Sequence, residues 1–158
     1  MLGGLAAGAV VLATGCTSAG QDTRAPRGIA TRRQVSPDVA LATTAAGRVG
    51  QVADLVERTV ARHRQLRHRL AGLAALHAAH LRLLQEAVPA DRRRDEQGPH
   101  REHVPHAEHA ALRSVLRAEH SLRPQLQGLA MRAESGEFAR LLAAMSAAVG
   151  QQLAVVTR

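Results

Sequence analysis

Nine histidines in 158 residues are the side chains of this sequence with the widest range of chemistry. Four of them, His100, His103, His106 and His109, recur at every third position through Pro-His-Arg-Glu-His-Val-Pro-His-Ala-Glu-His. In an extended, proline-rich helix of three residues per turn these rings line one side. Neutral imidazole suits Zn, Cu or Ni, and histidine-rich tracts bind such ions with low specificity. The plain alternative is a solvated loop. A second group, His77 and His80, has the three-residue spacing that places both rings on one face of a helix. If helices two and three are antiparallel neighbours, Glu119 falls within about one turn of His77. That set is either a hydrogen-bonded buried pair or a transition-metal site completed by His63 or Glu108.

Catalytic signatures are absent by comparison. No Ser stands in a Gly-x-Ser-x-Gly turn, and no glycine-rich phosphate loop precedes a helix. The reading is therefore of a protein that is not an enzyme, with no cofactor beyond a possible Zn, Cu or Ni ion.

Cys16 is the single cysteine, so it has no intramolecular disulfide partner. It closes an uncharged run, Leu2 to Gly15, that is shorter than the roughly 20 apolar residues of a spanning helix. The stretch Leu12-Ala13-Thr14-Gly15-Cys16 resembles the lipobox of bacterial prolipoproteins. That resemblance implies export, removal of residues 1–15 as a signal peptide, and acylation of the Cys16 sulfur. The chain would then be anchored on the outer face of the cytoplasmic membrane, where more than one acyl chain gives a stable hold.

These groups must be positioned by helices. The 46% hydrophobic content is carried by Ala, Leu and Val, with one Phe and neither Trp nor Tyr, a composition that favours helix over strand. Residues 16–36 are rich in Ser, Gly, Thr and Pro and read as a flexible tether. Ser36-Pro37-Asp38 is a helix start. From there to Val88 the positions Val52, Val56, Thr59, His63, Leu66, Leu70, Leu73, His77, His80 and Leu84 step by threes and fours along one face. A single helix of about 50 residues would be some 75 Å long, so a break is expected near His63 to Leu66. Pro89 to Pro105 reads as a loop. The next helix, about 106–134, carries Leu112, Val115, Glu119, Leu122, Leu126, Leu129 and Ala133 on its seam and should kink or break at Pro124. Gly136 suits a left-handed helix cap, and the last helix, 137–156, presents Phe138, Leu141, Leu142, Met145, Val149, Leu153 and Val156. Ala74, Ala78, Ala144 and Ala148 are expected inside. Asp54 with Arg58, and Glu119 with Arg123, have the spacing of helix ion pairs.

The expected architecture is all-α, an up-down four-helix bundle over 37–158, preceded by the signal peptide and tether. In helix count and inward polar residues it resembles ferritin-like four-helix proteins, although their Glu-x-x-His motif is missing. That resemblance implies metal binding as the alternative function.

All 21 cationic side chains are Arg, and the formal net charge is +8. The densest basic stretch is Arg58, Arg62, Arg64, Arg67 and Arg69. Either it is a solvated helix face, or it docks on anionic lipid headgroups or wall polymers. Nucleic acid is disfavoured, because single-strand binding uses aromatic platforms that this chain lacks. The expected function is thus a lipid-anchored, extracytoplasmic binding or scaffold module of the cell envelope.

Overall fold

The computed structural model describes residues 36–88 and 103–158. The expected signal peptide, Cys16 and all of the tether before Ser36 lie outside the described residues, as does His100. Four α-helices account for most of what is described: α1 (Pro37–Arg62), α2 (Arg67–Ala87), α3 (Glu108–Ala130) and α4 (Gly136–Val156). No strand occurs among the described residues. The fold is the all-α four-helix bundle that composition and periodicity point to.

Helix α1 starts where Pro37 supplies a helical φ at the first position, with Asp38 in the first turn. It ends at His63, whose backbone leaves the helical region (φ −120°, ψ 81°), and the short 3-10 turn Arg64–Leu66 leads into α2. The expected break is therefore real, and neither Gly nor Pro makes it. The His63 ring is buried and donates from Nε2 to the carbonyl of Pro105 at 3.0 Å, while Leu66 is turned into the core. All ten periodic positions from Val52 to Leu84 are buried.

Three local expectations are corrected. Of the kink or break expected at Pro124, the break does not occur, since α3 runs through it to Ala130; Pro124 is exposed. Gly136 is the first residue of α4 rather than a left-handed cap, and Ser135 caps that helix by accepting the Phe138 N–H. Ala78 and Ala144 are exposed. Close helix approach comes instead from Ala42, Ala45 and Ala111, each fully buried.

Helix α1 packs on α2 and α3, and α4 packs on α3 and α2, which leaves α2 and α3 across a diagonal. Directions follow from contacts near the ends. Asp38, at the start of α1, holds the backbone beyond the end of α3 at Glu134 and Ser135. Arg62, at the end of α1, meets His106 just before α3 begins. Hence α1 and α3 are antiparallel. Residue Gly50 of α1 faces Leu81 of α2, which makes the first hairpin antiparallel too. It follows that α2 and α3 run parallel, and the antiparallel neighbour relation assumed from the sequence is corrected. Val88 and His103 then stand at opposite ends of the bundle, so the segment between them links one end to the other.

Two apolar clusters fill the interior. One joins Leu55, Leu66, Leu70, Leu73, Val115 and Val156 toward the α1–α2 turn. The other joins Val49, Leu84, Leu122, Leu126, Leu142 and Met145 toward Ser36. Helix α4 (mean hydropathy 1.3) is long and apolar enough to cross a membrane by length and composition, yet here Leu142, Met145, Val149, Leu153 and Val156 are spent on this core.

Candidate functional site

Between the two clusters lies a polar waist. Helical spacing sends His77 and His80 inward from α2, after Leu70 and Leu73 and before Leu84. Glu119 comes inward from α3 between Val115 and Leu122. His77 Nε2 lies 2.6 Å from Glu119 Oε1, and both side chains have zero exposure. A carboxylate so placed is tolerable only with a close donor, and the imidazole N–H supplies it. The expected Glu119–Arg123 ion pair is therefore corrected: Glu119 turns into the core, while Arg123 lies against Gly150 of α4.

His80 sits beside this pair, its ring T-shaped to that of His77 at a centroid separation of 6.3 Å. Burial, and secondarily the His77 imidazole, push His80 down from 6.5 to about 4. It is therefore neutral at ordinary pH. His77 Nδ1, His80 Nδ1 and Glu119 Oε2 are buried with no hydrogen-bond partner. An imidazole oriented by a carboxylate is a general-base arrangement, but this one is closed to any solute.

The residues do not fit a metal as they stand. Neither further ligand considered from the sequence joins the set. His63 is engaged with Pro105 at the turn, and Glu108 lies 11 residues before Glu119 on the same helix, about 16 Å along its axis. Among the described residues, no group of three or more His, Cys, Asp or Glu side chains could hold a metal ion.

The described part of the histidine tract, His103 to His109, does not form one extended row. His103 precedes a bend at His106 and Ala107, and His109 is already in α3. The rings of His103 and His106 are 6.0 Å apart. His106 Nδ1 is approached by the Arg62 guanidinium, and a fixed cation at that nitrogen works against a metal cation there.

That contact joins two features that are 44 residues apart in sequence. Arg62, Arg64 and Arg67 are exposed around the α1–α2 turn, and His106, with the His103 ring 6.0 Å from its own, meets Arg62 there. Arg58 is half-buried, and its Nε donates to the Asp54 carbonyl. Arg69 differs from the others: Nε and Nη2 donate to the Val156 carbonyl at 2.9 and 2.7 Å. It caps α4, complementing the negative end of that helix, while the residue remains exposed. Arg113, Arg117 and Arg158 add to the same side of the waist. No local motif announces them, and only the directions of α3 and α4 bring them there. Among the described residues, eight Arg on the turn side (58, 62, 64, 67, 69, 113, 117 and 158) stand against Asp54, Glu57 and Glu108. On the Ser36 side the balance is nearly even, with Arg48, Arg82, Arg123, Arg132 and Arg140 against Asp38, Glu86, Glu134 and Glu137.

Comparison with protein-family models, with curated proteins and with solved structures finds no match to this chain.

Proposed function

We propose that the protein is a lipid-anchored, extracytoplasmic binding module of the cell envelope, which docks through the Arg-rich end of its bundle on an anionic surface. The anchor is the acylated sulfur of Cys16. The observation that carries the docking role is the one-sided charge, among the described residues eight Arg to three acids beyond the waist and five to four before it. Each Arg near an anionic surface contributes about 1 kcal/mol. Attraction of this kind weakens as salt shortens the Debye length from about 30 Å at 0.01 M to about 3 Å at 1 M. The test is adsorption of the unlipidated chain from residue 17 onward to phosphatidylglycerol vesicles. Binding at low salt that disappears at high salt supports the reading; no adsorption at either removes it. Mass spectrometry of the native product tests the anchor separately.

A second reading, a ferritin-like metal-binding protein, is favoured by one observation, the crossover that leaves α2 and α3 parallel. Its test is the Zn, Cu, Ni and Fe content of the purified chain. Stoichiometric metal that is lost with His77→Ala and His80→Ala would replace the docking reading.

A further inference from the structure

We infer that the outer face of α4 is a self-association surface, on which a second copy of this chain packs with its own α4 antiparallel. This face is separate from the Arg-rich end of the bundle and shares only Arg158 with it.

Helix α4 carries two stripes. The inner one, which includes Leu142, Met145, Val149 and Leu153, fills the core. The outer one steps by threes and fours from Glu137 through Arg140, Ala144, Ala147, Gln151 and Ala154 to Arg158, and every member is exposed. That seven-residue spacing is the period at which two helices stay in contact along a seam. Residues 141–157 contain no charged side chain, the longest such stretch among the described residues of a chain with net charge +8. Val155 on the exposed side is 63% accessible, and 33% of the most apolar stretch of the helix is buried inside the bundle. The core therefore uses one side of an apolar helix and leaves the other uncovered, a feature that marks an interaction surface.

Charge selects the occupant and its direction. Glu137 stands at the start of α4 and Arg158 just past its end. In a parallel pair each would meet its own copy. In an antiparallel pair with Ala147 of both copies at the two-fold axis, Glu137 of one copy comes level with the Arg158 end of the other, and symmetry makes the contact twice. Arg140 then lies beside the last carbonyls of the opposite α4, where a cation is favoured. The same direction sets the Arg-rich end of one bundle beside the nearly balanced Ser36 end of the other, whereas a parallel pair would bring both Arg-rich ends together. Alanine at three of the central positions lets the helix axes approach closely, and Gln151 is a polar seam residue of the kind that fixes register. A lipid surface is matched less well, because a face that enters lipid presents Leu or aromatic residues and this one presents Ala and Gln.

The test is sedimentation velocity of the full chain, kept reduced, over a range of concentrations. A monomer–dimer equilibrium is expected. Ala147→Arg places two like charges at the axis and should raise the dimer dissociation constant on the order of a hundredfold, with helix content by circular dichroism unchanged. Glu137→Arg alone and Arg158→Glu alone should each weaken the dimer about tenfold. The two together should restore it, since both ion pairs re-form with their signs exchanged. A role for these residues within one chain would instead make the double variant the weakest of the three. A chain that stays monomeric, a dimer untouched by Ala147→Arg, or a charge exchange that fails to rescue overturns the inference. Adsorption to phosphatidylcholine vesicles that Ala147→Arg abolishes would assign the face to lipid and overturn it as well.

Discussion

His77 of α2 and Glu119 of α3 meet at 2.6 Å across the diagonal of the bundle, each with zero exposure. The pair separates two apolar clusters and joins two helices that otherwise scarcely touch.

Removing one member leaves the other buried without its counterpart. His77→Leu should destabilise the bundle by about 3–5 kcal/mol in urea unfolding. The double change to Leu at both positions should recover much of that loss, because an apolar pair of similar volume carries no desolvation penalty. A double variant as unstable as the single one would show that the pair contributes net stability.

His80 sets a pH dependence of definite sign. Its value is about 4 in the folded state against about 6.5 in an unfolded chain. Between those limits the unfolded state binds the extra proton, so stability falls as pH drops from 6.5 toward 4 and is unaffected by this group above 6.5. The full effect is roughly 3 kcal/mol. Thermal unfolding of His80→Leu should show a flatter profile across that window, and an unchanged slope would assign the acid sensitivity to another group.

Asp38 ties the first turn of α1 to the α3–α4 connection, accepting from the Glu134 and Ser135 N–H groups at 2.9 Å each. Asp38→Ala should cost about 1–3 kcal/mol. Amide exchange at Glu134 and Ser135 should accelerate more than at residues of the His77 waist.

Two glycines differ in what a methyl group would meet. At Gly128, near the end of α3, nothing lies within 4 Å of the added carbon, and Gly128→Ala should stabilise by about 0.5–1 kcal/mol through helix propensity. At Gly150 the same carbon would stand 3.1 Å from the Arg123 guanidinium. There the propensity gain is offset, and Gly150→Ala should be the less stable of the two in paired urea melts.

The residues that were legible in the sequence share a physical cause. From Val52 to Leu84 the apolar and histidine positions repeat with the helical period, and all ten are buried. The break at His63 followed from length alone, since a continuous helix could not pack on itself. Charge spacing misled where burial competed with it. Glu119 has the spacing for Arg123 but lies on the inward stripe, and it pairs with His77 instead. Alanine was ambiguous for a similar reason: Ala78 and Ala144 are as apolar as Ala42 and Ala45, but only the latter two face a neighbouring helix.

The level of His77 with Glu119 was reached from the sequence through a wrong direction for α3, and the geometry explains why it survived. His77 is the middle residue of α2 (Arg67–Ala87) and Glu119 the middle residue of α3 (Glu108–Ala130). Reversing a helix about its own midpoint leaves that midpoint in place. Helix periodicity, a one-dimensional property, therefore determined which residues face inward and at what height the polar waist lies. It carries no sign for the direction of a helix relative to one reached through a long connection. That sign was decided by tertiary packing, when Leu70 and Leu73 joined Ala111 and Val115 while Leu84 joined Leu122 and Leu126. The same choice put the start of α3 beside the α1–α2 turn. The arginines of that turn and the histidines before α3, separate candidates in the sequence, became one surface.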